Sequence, residues 1–145
     1  MEVNNINELP HEQLISSKTG EAFSKSAILT KLLPFQKIFV HHEILAPGKR
    51  ASAPHSHTTQ EEMICVLEGF PVAHLGNRTM QLKPGDFLGF TPASKELHFI
   101  ENTTTQEIRF LVICSNQADD HVLFEHQSHL SQRLEGSSHY RDDNT

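Results

Sequence analysis

Tryptophan is absent from the 145-residue sequence, tyrosine occurs once and cysteine only twice. Two cysteines are too few for a disulfide framework in a chain of this length, which favours a reducing environment. The sequence also lacks an apolar run of about 18 residues, the length that a membrane-spanning helix needs. The first residues do not join a basic segment to an apolar stretch, so they do not predict a secretory signal. We therefore predict a cytoplasmic protein with no membrane partner.

Basic side chains are scarce relative to acidic ones. The chain has 12 lysines and arginines against 18 aspartates and glutamates, a formal net charge of −6. Proteins that coat nucleic-acid phosphates need a basic surface, so we predict no nucleic-acid partner. The length fits one domain of roughly 100–200 residues, and a hydrophobic content of 37% is enough for one core. Against these shortages stands one excess, because the chain contains eleven histidines.

Short apolar runs separated by glycine and proline extend from about residue 27 to residue 115. Runs of this length and spacing predict an all-β sandwich or barrel. Gly76-Asn77 lies between two of them and predicts a two-residue hairpin turn. The flanking sequences are polar, so we divide the chain into an N-terminal arm (1–25), a β-barrel (26–116) and a polar C-terminal tail (117–145).

Two of the predicted strands are apolar on both faces. In residues 62–67 and in residues 108–114, both alternating sets contain apolar side chains. A small sandwich needs only one apolar face per strand. The second face must therefore be covered by the terminal arms or by another subunit, which motivates the prediction of a homodimer.

A pair of histidines and a glutamate fall close together near the middle of the chain. His55 and His57 are two residues apart, so both side chains point the same way in an extended strand. Pro54 favours that extended backbone, and a turn over residues 58–60 would let Glu62 face the pair. Two imidazoles and a carboxylate suit a divalent transition ion. The histidine pair alone is equally consistent with a solvated loop in a histidine-rich chain.

A third histidine lies in a second segment that is rich in glycine and proline. His98 stands in an apolar run, with Glu96 and Ile100 on its own face of an extended strand. A single histidine in such a strand is usually a hydrogen-bonded core or surface residue. On its own, His98 therefore does not indicate a ligand.

Together, these two segments resemble the two motifs of the cupin family. Residues 48–69 match the first motif, which is a glycine, a short gap, HxH, a glutamate and a second glycine. The chain departs from it only by one extra residue before the first histidine. Six residues separate Glu62 from Gly69, as the motif requires, whereas the neighbouring Glu61 does not keep that spacing.

The second motif is matched less closely, over residues 85–102. Ser94 stands where the family usually has glycine, and the gaps from Gly85 to Pro92 and from Ser94 to His98 are each one residue longer than usual. The spacing from the histidine to the asparagine that follows it is intact. The resemblance covers about residues 37–114.

The resemblance implies a double-stranded β-helix, or jelly-roll cupin barrel, with irregular N- and C-terminal arms. Carried over by position, it implies one divalent transition metal ion held by His55, His57, Glu62 and His98. Iron, manganese, zinc, nickel and copper all accept such a ligand set. Three neutral imidazoles and one carboxylate would leave a net charge of about +1 and, at six-coordination, two open positions, so we expect an anionic or oxygen-rich small-molecule ligand.

Metal affinity is expected to depend on pH. Imidazoles must be deprotonated to bind a metal, and their ordinary pKa is about 6.5, so the affinity should fall steeply below about pH 6.

Two functions remain open for such a protein. It is a metal-dependent enzyme of the dioxygenase, isomerase or lyase type, acting on a small carboxylate- or sugar-like molecule, or it is a binding or sensor module without turnover. An enzyme needs a general acid or base beside the ligands, for which His42 and Glu96 are candidates. Arg50 is a candidate clamp for a carboxylate. Alternation along the strand that holds His41 and His42 sends one of the two inward.

Overall fold

The computed structural model describes residues 2–124 and 131–132. This part of the chain contains twelve β-strands, three short 3₁₀ turns and no α-helix. The strands are β1 (Glu12–Ile15), β2 (Ala22–Ile28), β3 (Ile38–Leu45), β4 (His55–His57), β5 (Glu62–Glu68), β6 (Val72–Leu75), β7 (Arg78–Gln81), β8 (Phe87–Phe90), β9 (His98–Glu101), β10 (Ile108–Ser115), β11 (His121–Phe124) and β12 (Ser131–Gln132). The 3₁₀ turns are Ile6–Glu8, Leu29–Leu32 and Pro92–Ser94.

The strands form two six-stranded sheets. The first has the order β1-β2-β3-β10-β5-β8, and the second has the order β12-β11-β4-β9-β6-β7. From β3 to β11 the chain alternates between the two sheets, apart from the β6–β7 hairpin, and the pairings are antiparallel. This is the double-stranded β-helix, so the all-β class and the jelly-roll fold predicted from the sequence are confirmed.

The core lies between the two sheets. Leu45, Ile64 and Phe110 come from the first sheet and pack with Ala73 and Ile100 from the second, and all five are at least 96% buried. Burial of a large apolar side chain stabilises a fold by roughly 1.5–3 kcal/mol. The alternation of strand residues thus provides one apolar face per sheet, and these faces hold the barrel together.

Two glycines have backbone conformations that other residues adopt at a cost. Gly76 has a φ of +58° and forms, with Asn77, the two-residue turn between β6 and β7, so the predicted hairpin is confirmed. Gly69 has a φ of +86°, and a Cβ atom there would stand 2.7 Å from Cγ1 of Ile108. The last glycine of the first motif therefore allows the chain to turn tightly against β10.

The N-terminal arm is more regular than its composition predicts. β1 pairs with β2, and β2 pairs with β3, so residues 12–28 extend the first sheet. At the start of this hairpin, the ring of His11 approaches that of His42, with 2.7 Å between Nε2 and Nδ1. A largely polar sequence forms strands here because pairing with β3 satisfies the backbone hydrogen bonds of β2.

The start of the C-terminal tail also belongs to a sheet, because β11 pairs with β4. The predicted limits at residues 25 and 116 stay predictions, although β2 crosses the first and β11 lies beyond the second. The remainder of the predicted tail, residues 125–130 and 133–145, lies outside the described residues.

The outer face of the first sheet is apolar and incompletely covered. Phe87 is 71% exposed and Leu67 is 43% exposed, and the half-buried Met63, Leu111 and Ile113 lie on the same face. The single chain thus leaves exposed part of the second apolar face that the sequence predicts.

Among the described residues, no helix is long and apolar enough to cross a membrane. The cytoplasmic location expected from the cysteine count stays a prediction.

Candidate metal centre

Three strands bring the four predicted ligands together. His55 and His57 lie on one face of β4, and His55 pairs directly with His98 on the neighbouring β9. Glu62 begins β5 in the opposite sheet. Because the turn before β5 returns the chain across the barrel, the glutamate faces the histidines from the other side. The neighbouring Glu61 is exposed instead.

The four side chains form a cluster able to hold a metal ion. One ligand atom from each of His55, His57, Glu62 and His98 lies within 4.8 Å of the other three. An ion with bonds of about 2.0–2.2 Å places its ligand atoms roughly 3–4.4 Å apart, so small side-chain movements suffice to close the site. Nitrogen and carboxylate donors suit a divalent transition ion, and they do not identify which one.

Contacts around the imidazole rings hold their Nε2 atoms toward the centre of the cluster. Nδ1 of His55 lies 3.0 Å from the carbonyl oxygen of Ala53. The Nε2 atoms of His57 and His98 each lie 3.4 Å from one oxygen of the Glu62 carboxylate. The Phe90 ring stacks on His98 at 3.8 Å and 4°, which fixes the plane of that imidazole.

Asp120 contacts the cluster from behind His57, and the sequence analysis missed it. Its Oδ2 atom lies 2.6 Å from Nδ1 of His57, and its Oδ1 atom accepts hydrogen bonds from the backbone N–H groups of Thr59 and Gln60. A carboxylate that accepts a hydrogen bond from a metal-binding histidine fixes the tautomer of the imidazole. It also makes the opposite ring nitrogen a stronger electron-pair donor to a metal. The residue lies in a polar segment 63 positions after the histidine, so only the pairing of β4 with β11 reveals it.

The charges within the cluster shift the pKa values of its members. Burial lowers the pKa of His57, but the Asp120 hydrogen bond and the Glu62 carboxylate outweigh it and raise this pKa to about 9. Burial holds the pKa of His55 well below its ordinary value, and the neighbouring His98 lowers it further. For Glu62, burial raises the pKa, but the hydrogen bonds from His57 and His98 outweigh it and hold the pKa well below the ordinary value.

The loop before His98 departs from the cupin motif and still delivers the histidine. A 3₁₀ turn over Pro92–Ser94 ends at Lys95, which has a φ of +55°. A non-glycine residue adopts this left-handed conformation at a cost of about 1–2 kcal/mol. The longer loop therefore places its left-handed residue at Lys95, and His98 still pairs with His55.

A cavity of about 50 Å³, which opens to solvent, adjoins the cluster. Its lining includes His55, Glu62 and His98, and apolar side chains form much of the remaining wall. The two candidate acid–base residues do not line it: His42 pairs with His11, and Glu96 pairs with Arg78 at 3.2 Å.

The candidate carboxylate clamp is engaged elsewhere. Arg50 donates two hydrogen bonds to Glu21, at 2.8 and 2.7 Å, and does not line the cavity. Its charge is therefore largely neutralised by its partner.

Glu43 lines the cavity and was also missed by the sequence analysis. It lies on β3, is 1% exposed, and accepts a hydrogen bond from the Ser24 hydroxyl. The signal was present in the sequence, because Glu43 shares the inward face with His41, two residues before it.

The family profile described as the cupin domain matches residues 41–114, just over half of the chain. This chain belongs to the cupin family. The match spans the four clustered side chains and both motifs. A search of curated proteins finds no significant match for this cupin.

Solved structures share the barrel of this cupin. A protein from Acidithiobacillus ferrooxidans, named provisionally as a sugar phosphate isomerase, is 26% identical, with a TM-score of 0.79 over 91% of this chain and 84% of its own. The polyketide cyclase RemF from Streptomyces resistomycificus is 22% identical, with a TM-score of 0.68 over 81% and 80%. A Thermotoga maritima protein, predicted to be an oxalate decarboxylase, is 23% identical, with a TM-score of 0.67 over 80% and 100%. The last two show a shared fold alone.

Proposed function

We propose that this cupin is a metal-dependent enzyme acting on a small polar molecule that carries a carboxylate or sugar-like hydroxyl groups. His55, His57, Glu62 and His98 are the proposed ligands of the metal. One observation carries the proposal: these four side chains converge on one point beside a partly enclosed cavity. Such a cavity, apolar with a few convergent polar groups, is typical of a small-molecule site.

The chain's own residues define what the site does. A divalent ion supplies Lewis acidity toward an oxygen ligand. Glu62 provides the single negative charge among the four ligands, so the site retains about one positive charge and attracts an anionic oxygen. The Ile64, Phe110 and Val112 side chains in the cavity wall exclude water from the bound molecule, which strengthens the electrostatic interactions there.

The reaction that we propose is an isomerisation. Among dioxygenase, isomerase and lyase chemistry, the likeness to the Acidithiobacillus ferrooxidans protein favours isomerisation. Family membership alone does not decide this, because one fold hosts many reactions. A binding or sensor module that uses the same pocket is the second candidate.

Turnover separates the two candidates. The metal-loaded protein is incubated with a panel of small carboxylic acids and sugars while products and dioxygen consumption are measured. We expect product formation that stops when a chelator removes the metal. Tight binding of one compound with no product, at every metal tested, would favour the binding module.

We also propose that a second copy of the chain covers the outer face of the first sheet, to form a homodimer. The exposed Phe87 and Leu67 and the half-buried Met63 and Ile113 support this proposal. Light scattering at micromolar concentration should give twice the 16.4 kDa chain mass, and Phe87→Asp should give the single mass. Phe70→Asp, at an exposed phenylalanine between β5 and β6, is the matched control. A single mass for the unaltered protein would contradict the dimer.

A further inference from the structure

The cavity has a second polar wall, formed by Glu43 and Ser24. Both side chains are 1% exposed, and both line the cavity that the proposed metal ligands line. The Ser24 hydroxyl donates a hydrogen bond to Oε2 of Glu43, and Nδ1 of His41 lies 3.6 Å from Oε1. The serine also lies 3.4 Å from the carbonyl oxygen of Ala51, so this wall also contacts the loop between β3 and β4.

Glu43 belongs to a polar patch at the edge of an otherwise apolar inner surface. Its neighbours on β2 and β3 are the polar Ser24, Ser26 and His41. On the other side, the inward positions of β10 and β5 are apolar, namely Phe110, Val112, Ile64 and Val66. Burial of a carboxylate among such side chains is unfavourable unless its oxygens are hydrogen-bonded. Ser24 donates one such bond, and Glu43 also lines the cavity, where a polar group of a bound molecule can meet it.

The two polar walls are well separated. Glu62 pairs with Cys114, and Glu43 pairs with Phe110, so the two glutamates lie on opposite sides of β10 and four residues apart along it. Strand geometry makes this about 13 Å along the sheet and about 10 Å across it between Cα atoms. If a molecule of several carbons is bound with one end at the proposed metal site, Glu43 is therefore placed to contact its opposite end.

The charges in the lining of the cavity restrict which ligand groups it accepts. Among the described residues, its lining contains no lysine or arginine, and the nearby candidate Arg50 is engaged by Glu21. A phosphate group beside Glu43 would meet a carboxylate with no cation to offset it. A hydroxyl group meets the same carboxylate as a hydrogen-bond donor.

We propose that Glu43 accepts a hydrogen bond from a hydroxyl group at the far end of a substrate. The acid end of that substrate is held at the proposed metal site. The substrate class is a polyhydroxylated acid that carries no phosphate at that end. This inference rests on the proposed function, because the proposed metal site must hold the acid end of the substrate. Glu43 is then a residue that determines specificity, and Ser24 positions its carboxylate.

Titration calorimetry on the Zn²⁺-loaded protein tests the inference with four probes that share one head group. D-Gluconate carries hydroxyl groups along its tail, 2-hydroxyhexanoate carries none, 6-phosphogluconate ends in a phosphate, and 6-amino-2-hydroxyhexanoate ends in an ammonium group. We expect gluconate to bind about tenfold more tightly than 2-hydroxyhexanoate, as for a hydrogen bond to a charged acceptor. The phosphorylated acid should bind more weakly than gluconate.

Glu43→Gln should lose this preference for gluconate while keeping its zinc content and its affinity for 2-hydroxyhexanoate. Ser24→Ala should weaken gluconate binding in the same direction, and it decides the matter if Glu43→Gln does not fold. Glu12→Gln, at an exposed glutamate on β1, is the control and should behave as the unaltered protein.

Four outcomes would overturn the inference. If the preference for gluconate persists in Glu43→Gln, or is absent from the unaltered protein, Glu43 serves packing alone and the proposed metal-site function stands. If the ammonium probe binds more tightly than gluconate, the group that Glu43 contacts is cationic and is not a hydroxyl group. If none of the four acids binds, the small-acid part of the proposed function fails as well.

Discussion

Replacing His57 by alanine is expected to remove the bound metal and, with it, most of the stability that metal binding supplies. Loss of one of four ligands lowers the affinity, and it also leaves the buried carboxylate of Asp120 without its imidazole partner. A metal present at 1,000 times its dissociation constant stabilises the folded state by about 4 kcal/mol. For a domain of this size, that loss lowers the Tm by on the order of 10 °C.

Elemental analysis and thermal unfolding with and without a chelator check this prediction. The chelator should lower the Tm of the unaltered protein and leave that of His57→Ala unchanged. His74→Ala is the matched control, because His74 pairs with Glu101 on the outside of the second sheet. Stoichiometric metal in purified His57→Ala would show that the proposed ligand set is wrong.

The features that could be predicted from the sequence are local ones. The spacing of His55 and His57 places them on one face of a strand, and Gly69 marks the tight turn that follows the next strand. His98 is different, because nothing in its own segment identifies it. It became a candidate only through the resemblance to a family motif, and its partner across the strands is His55.

The features that could not be predicted depend on pairing between distant segments. Asp120 meets His57 because β11 pairs with β4, and that register is fixed by the whole barrel. Residues 12–25 are largely polar, so their sequence predicts an irregular arm. They form a hairpin because β2 pairs with β3, which satisfies the backbone hydrogen bonds of β2. Glu43 could have been placed inward by alternation, but its relation to the cavity requires both sheets.

Metal affinity is expected to rise by about tenfold per pH unit from about pH 7 to pH 9 and to level off above that. His57 has a pKa raised to about 9 in the metal-free protein, so it holds a proton throughout this range that the metal must displace. His55 and Glu62 have lowered pKa values, so neither contributes a proton to the exchange. The onset of the loss thus lies well above the pH 6 expected from an ordinary imidazole.

The stability of the metal-free protein should decrease with pH, whereas the metal affinity increases. A raised pKa in the folded state means that protonated His57 stabilises the fold fully below its ordinary pKa of 6.5, and this contribution is lost as the pH rises through about 9. The Tm of the metal-free protein should therefore fall over the interval in which metal affinity rises. Competition with a coloured chelator measures the affinity, and calorimetry in two buffers counts the protons released.

Asp120→Asn separates the two roles of the carboxylate. Without its charge the pKa of His57 falls, so the affinity should level off at a lower pH than in the unaltered protein. The metal affinity above pH 9 should be weaker by about 10–100-fold, because a neutral amide orients the imidazole less firmly and raises its basicity less than a carboxylate does. Asp119→Asn, at the exposed neighbouring residue, should leave both quantities unchanged. An affinity that is flat between pH 7 and pH 9 in the unaltered protein would contradict the raised pKa and the displacement of a proton from His57.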